Sequence, residues 1–151
     1  MNKVWIYIKS ILIPLAVGGI VGFVVSGYMD YDTLQKPFLA PPGIVFPIVW
    51  TVLYTLMGIS YAILKFNNKT DSKIDSIYFL QLTVNALWSV FFFILEWRLF
   101  SFFWILLLAG LIIYMIKLFY DKNKIAGLLQ IPYIIWVLFA SYLNLAFYIL
   151  N

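Results

Sequence analysis

The residues able to do chemistry in this chain are aromatic and neutral-polar, and they recur at helical spacing. Gln81, Asn85, Trp88, Ser89 and Phe92 follow i, i+4, i+7, i+8, i+11. Trp136, Ala140, Leu143 and Asn144 follow i, i+4, i+7, i+8, and Phe46, Trp50, Tyr54 and Met57 repeat at the same three- and four-residue steps. Such spacing puts each set on one face of a helix. Each face mixes rings with a few hydrogen-bonding groups, the composition of a small-molecule pocket with apolar walls and few polar anchors. The same pattern also suits helix-to-helix glue, with Asn85, Ser89 and Asn144 contributing about 1 kcal/mol each. Spacing does not choose between the two. The chain has no His and no Cys. Disulfides, zinc and iron–sulfur sites, His- or Cys-ligated haem, and Ser-His-Asp or Cys-His catalysis are therefore excluded. What remains for chemistry is an aromatic complement of 21%.

The elements that must position these faces follow from the charges. Only sixteen side chains are charged, and they leave five charge-free windows, Ser10–Met29, Pro37–Leu64, Ser76–Leu95, Leu99–Ile116 and Ile125–Asn151. A bilayer-spanning helix needs about 20 apolar residues. A soluble domain carries about a quarter charged residues, so a soluble globular protein, a disordered chain and a nucleic-acid-binding domain are all excluded. Segments such as FFFIL and WILLLAGLIIYMI do not alternate as a barrel strand would. The reading is an all-α membrane protein, one domain over residues 1–151 with no internal repeat. It is a five-helix transmembrane bundle with a long structured loop between helices 1 and 2. Spans are expected at about Val4–Gly27, Gly43–Phe66, Ile74–Glu96, Leu99–Tyr120 and Ile125–Leu150. A pocket forms if spans two, three and five are neighbours. Pro47 and Pro132 are expected to interrupt their helices by removing bonds to Gly43 and Leu128.

Eight lysines (3, 9, 65, 69, 73, 117, 122 and 124) fall on one side and only Lys36 and Arg98 on the other. The positive-inside rule then places the N-terminus inside and the C-terminus outside. A signal peptide is the competing reading of the first span, with Val25-Ser26-Gly27 as its cleavage site. The apolar run is long for that role. Gly18, Gly22 and Ser26 form a small-residue stripe, suited equally to packing within the bundle or to a dimer face. Glu96 and Arg98 are expected to pair at the interface. With no charge central to any span, an ion-coupled pump or proton relay is disfavoured. The loop Tyr28–Pro42 is too aromatic for a solvated tether. Tyr28, Tyr31, Leu34, Phe38 and Leu39 are expected to pack down as a lid.

Lys36-Pro37-Phe38-Leu39-Ala40-Pro41-Pro42 followed by Phe46-Pro47-Ile48-Val49-Trp50-Thr51-Val52-Leu53-Tyr54-Thr55-Leu56-Met57-Gly58 resembles the signature of the TspO/MBR family, the translocator proteins once called peripheral benzodiazepine receptors. Gln81-Leu82-Thr83-Val84-Asn85-Ala86-Leu87-Trp88-Ser89 is similar to the family's third-span motif. Pro132-Tyr133 with Trp136 to Asn144 is similar to its fifth-span motif, and the Gly18-Gly19 pair fits as well. The match runs through nearly the whole chain and is near to the bacterial members. It implies a homodimer, a lidded pocket, and binding of porphyrins, related tetrapyrroles and benzodiazepine-site drugs. Carried over by motif, the pocket residues are Tyr31, Pro41, Phe46, Trp50, Tyr54, Asn85, Trp88, Ser89, Trp136, Ala140 and Asn144. Two family tryptophans beside the Pro-Pro pair are Leu39 and Ile44 here, so two lid aromatics are missing. Loose sterol patterns occur three times, which shows their weakness, and the chain's end lacks the basic residue of the animal sterol motif.

These implications set a mechanistic expectation. A porphyrin stacks on Trp and Tyr rings, with Lys36 and Arg98 as the available propionate partners. No intrinsic cofactor or metal is expected. Some bacterial members of the family degrade protoporphyrin in light. Here Trp50 and Trp136 would be the electron-rich catalytic groups, with porphyrin and dioxygen carrying the hard chemistry. The alternative is a non-enzymatic sensor, carrier or transporter. The expected location is a bacterial plasma membrane.

Overall fold

Long apolar runs without a competing turn residue become helices, because each must satisfy its own backbone where lipid offers no partner. The structure, a computed structural model, describes residues 3–28 and 31–151. Its helices are α1 (Lys3–Ser26), α2 (Val45–Phe66), α3 (Ser72–Ser89, continued by a π-helical turn, Val90–Ile94), α4 (Arg98–Lys122), α5 (Lys124–Leu128) and α6 (Ile131–Leu150). A 3₁₀ turn, Tyr31–Thr33, lies in the loop before α2. No strand occurs among the described residues. Five segments are long and apolar enough to cross a membrane, α5 and α6 together forming the fifth. Met29 and Asp30, within the expected lid, lie outside the described residues.

Helix ends follow local chemistry. The Asp71 carboxylate accepts from the Ile74 N–H at 2.8 Å and caps α3, and the Asn123 side chain accepts from the Ala126 N–H at 3.1 Å to cap α5. The fifth span departs from expectation. It breaks at Leu129–Gln130, so Pro132 stands in the first turn of α6, where its missing N–H leaves no gap. Pro47 likewise lies in the first turn of α2 and costs no interior bond. The proline inside a helix is Pro14, buried in α1. It cannot bond the Ser10 carbonyl four residues back. Gly58 of α2 packs against that carbonyl: a Cβ there would stand 2.7 Å from the Ser10 oxygen and 2.5 Å from the Ile11 Cα.

α1 packs along α2, α3 along α4, and α4 along α6, while α1 also touches α3 and α5 meets α2. Rings close the circle between α2 and α6, Trp50 on Trp136 and Phe46 on Trp136. The α2–α3 and α4–α5 connections share one end, where Lys122 pairs with Asp71 at 3.2 Å and Lys69 donates to the Lys122 carbonyl at 2.8 Å. The lid, the Glu96 turn and the end of α6 share the other. Fully buried Met57, Leu64, Met115 and Phe119 fill the lysine end, whereas the lid end is hollow. The expected Glu96–Arg98 pair does not form. Glu96 sits exposed in the turn with φ of 57°, and the Arg98 guanidinium lies over the Phe92 ring at 5.6 Å.

Candidate functional site: an aromatic cavity between α1, α2 and α3

The hollow at the lid end is a cavity of about 810 Å³. Its wall on α2 is Phe46, Trp50 and Tyr54, one helical face as the spacing predicts. Trp50 stacks on Tyr54 with centroids 5.6 Å apart and a 29° interplanar angle. α3 supplies Trp88 and Ser89, and the π-turn adds Phe93. That turn, with the Leu95 N–H bonded to the Val90 carbonyl at 3.0 Å, holds one residue more than an α-turn. It lets Phe93 face the cavity while Phe92 is buried towards Phe147 of α6. Tyr31 comes down from the lid. Its hydroxyl donates to the Pro41 carbonyl, and its ring stands edge-on to Phe46 and Phe147. Burial first, then the Asp32 carboxylate, raises the Tyr31 phenol above its ordinary value, so it keeps the proton it donates.

The third wall is α1, not the fifth span. Leu15, Gly18, Gly22 and Val25 line the cavity, and the small-residue stripe is thus largely a cavity wall. At Gly18 a Cβ would drive into the Tyr54 ring, so that glycine seats the ring. The stripe was the one sequence signal able to place α1 here. Its period is equally that of a packing face, which hid the role.

Six of the motif-derived residues, Tyr31, Phe46, Trp50, Tyr54, Trp88 and Ser89, come together on this cavity. The others stand behind it. Trp136 lies edge-on to Trp50 at 6.5 Å and to Phe46 at 5.9 Å, a second ring layer. Ala140 and Asn144 border a void of about 20 Å³ on the α6 side, separated from the cavity by rings common to both, Phe46, Trp88 and Phe93. Pro41 acts through its carbonyl, which ties Tyr31. Asn85 and Asn144 are committed within the protein. The Tyr54 hydroxyl donates to Asn85 Oδ1 at 2.6 Å, Asn85 Nδ2 to the Tyr133 hydroxyl at 2.7 Å, and Tyr133 to Gln81 Oε1 at 2.8 Å. Trp88 Nε1 donates to Asn144 Oδ1 at 2.9 Å, and Asn144 Nδ2 to the Arg98 carbonyl at 2.7 Å. These amides bind helices to one another, and Tyr54 and Trp88 are the members that also face the cavity.

Neither Lys36 nor Arg98 lines the cavity. Lys36 Nζ stands 5.0 Å above the Tyr31 ring and donates to the Asp32 carbonyl at 3.4 Å, which keeps it at the mouth. Arg98 is on the far side of the π-turn. Asp32, which the spacing did not single out, borders the mouth. Among the described residues no group of His, Cys, Asp or Glu is placed to hold a metal ion. Of the residues expected to pack down as the lid, Tyr31 is buried and Leu34 packs half-buried against the core, while Tyr28, Phe38 and Leu39 are exposed, which corrects that expectation for these three.

The sequence profile of the TspO/MBR family matches residues 10–150. This chain belongs to the TspO/MBR family. Among its relatives is the tryptophan-rich protein TspO of Archaeoglobus fulgidus, 40% identical over 147 residues and 95% of each chain. Protein CrtK of Rhodobacter capsulatus is 35% identical across 92% of this chain and 89% of its own. The human translocator protein is 32% identical across 79% and 73%. Family membership and five apolar helices make this TspO/MBR chain an integral membrane protein.

Proposed function

We propose that this protein binds a tetrapyrrole in the α1–α2–α3 cavity and supports its light- and oxygen-dependent degradation. The observation that carries the reading is the cavity: about 810 Å³, within the range of about 300–1,000 Å³ typical of small-molecule pockets, walled by Trp50, Tyr54, Phe46, Trp88 and Phe93. A flat apolar macrocycle buries both faces between such rings. Its propionates belong at the mouth, where the Lys36 cation offsets the repulsion of the Asp32 carboxylate. Light excites the porphyrin and dioxygen is the oxidant. Trp50, on the wall, gives one electron to the light-excited porphyrin and recovers it from the oxygenated macrocycle, so that overall the macrocycle is oxidised and dioxygen reduced. Trp136 behind it is the ring able to share the Trp50 hole in the meantime. Benzodiazepine-site drugs would compete for the same rings, and a homodimer belongs to the same proposal. The lysine-rich end supports placing the N-terminus in the cytoplasm of a bacterial plasma membrane.

The test is titration and illumination of the purified protein with protoporphyrin. Saturable quenching of Trp fluorescence is expected in the dark, and protein-dependent bleaching in light. Trp50→Phe and Trp136→Phe together should keep binding and lose bleaching; unchanged bleaching in that double variant would refute the assigned electron donors. A non-enzymatic sensor or carrier is the second reading. It is favoured by Tyr31, which is at once a cavity wall and a lid fastening, so a bound ligand touches the lid directly. Binding without any light effect would select it.

A further inference from the structure

The cavity is fastened at its top and open at its side. One stitch closes the lid on itself, and two tie it to α6 and the residue that follows it. Tyr31 donates to the Pro41 carbonyl, and Tyr142 of α6 donates to the Phe38 carbonyl. The Asn151 side chain accepts from the Gln35 N–H and donates to the Gln35 carbonyl, each at 3.1 Å, as a neighbouring strand would. The side wall is different. α1 and α2 are in close contact where Gly58 meets Ser10 and Ile11, and again where Gly18 meets Tyr54. Lidward of those contacts, α1 presents Gly19 and Gly22, where an added Cβ would meet nothing within 4 Å. α2 presents Pro47 and Thr51. All four residues line the cavity and all four are exposed. At about 1.5 Å per residue, Gly19 and Gly22 lie roughly 6–10 Å below the end of α1, and Thr51 about 9 Å below the start of α2. In a hydrocarbon layer about 30 Å thick, that depth faces acyl chains rather than water.

We propose that this gap between α1 and α2 is a lateral window, through which flat apolar molecules dissolved in the bilayer reach the cavity while the lid stays fastened. The missing side chains of Gly19 and Gly22 set its width. A slot between two helices admits a plate edge-on and rejects a bulky or strongly hydrated molecule. Gly22 and Gly19 are therefore access-determining residues, distinct from the rings that hold the ligand. The inference rests on the cavity being the ligand site.

Two arms test it. The chain lacks Cys, so Ser89→Cys places a single thiol on the α3 wall of the cavity. In liposomes, a bilayer-dissolved pyrene maleimide should label it. Adding Gly22→Leu should slow that labelling about tenfold, whereas adding Asn151→Ala should leave it within about twofold; Gly19→Leu serves if Gly22→Leu does not fold. Unchanged labelling with the window filled, or acceleration when the lid is freed, overturns the window. This arm needs no tetrapyrrole. In the second arm, protoporphyrin in vesicles is mixed with the protein and Trp quenching followed in time. Gly22→Leu should slow association about tenfold. A fall in affinity with unchanged association instead makes Gly22 a contact residue and overturns the window. If wild type shows no quenching while the labelling behaves as expected, the tetrapyrrole reading fails and the window stands.

Discussion

Replacing Gly58 with Ala tests how α1 and α2 are locked together. The new methyl would stand 2.5 Å from the Ile11 Cα and 2.7 Å from the Ser10 oxygen, against an ordinary contact of 3.4–4 Å, so the helices must part by close to 1 Å. Both neighbours are backbone and cannot rotate away. Overpacking of this kind costs about 1–3 kcal/mol. Ala's better helix propensity returns about 0.5–1 kcal/mol, so a net loss of about 1–2 kcal/mol at roughly 2–4 °C per kcal/mol predicts a fall in apparent Tm of about 2–8 °C. The assay is thermal unfolding in detergent, followed by circular dichroism. Gly19→Ala is the control. Its methyl meets nothing, and helix propensity should raise stability by about 0.5–1 kcal/mol. If Gly58→Ala melts with Gly19→Ala, the close approach is not what holds the pair and the reasoning fails.

Three further outcomes are expected. In a double-mutant cycle on Tyr54→Phe and Asn85→Ala, unfolding free energies should show a coupling of about 0.5–1.5 kcal/mol, because the 2.6 Å bond is made once and lost in either variant. Ala140→Leu adds three carbons beside a void of only about 20 Å³, so it should destabilise by about 1–3 kcal/mol and, by displacing the rings it shares with the cavity, weaken protoporphyrin quenching. The Ile74 N–H and then Lys122 hold the Asp71 carboxyl below its ordinary value of 3.8. Its contribution is complete above that value and is lost as pH falls through the lower folded one; a thermal-stability titration from pH 6 down to about pH 3 should show this decline in wild type and a smaller one in Asp71→Ala.

Much of the architecture is legible in the sequence because lipid makes a strict demand on it. Charge-free stretches of membrane length have one inexpensive fold, and the five spans lie within a few residues of their expected limits. Prolines were legible only in part. Pro47 and Pro132 read as interruptions because sequence does not say where a helix begins, and both prove to stand in a first turn. Pro14 sits within an unbroken apolar run and gave no sign of the carbonyl it frees. At the site, periodicity found the Phe46–Trp50–Tyr54 and Trp88–Ser89 faces but not the third wall. The period that puts Gly18 and Gly22 on one face is the same whether that face meets a helix or a cavity. Asn85 and Asn144 were ambiguous for a related reason: an amide's partner lies on another helix, and spacing along one helix carries no information about it.

The hydrogen-bonded row under the cavity has a direction. Tyr54 donates to Asn85, Asn85 to Tyr133, Tyr133 to Gln81, and Gln81 to the Tyr78 carbonyl at 2.9 Å. Every donor points away from the cavity towards the lysine end, and the last acceptor has no proton to hand on. Two of the links are amides, which hold their protons rather than relay them. The row is thus a dead end for charge transport, backed by the close-packed Met57, Leu64 and Met115. The bundle can hollow out one half of its depth for a guest while the other half keeps the membrane electrically tight.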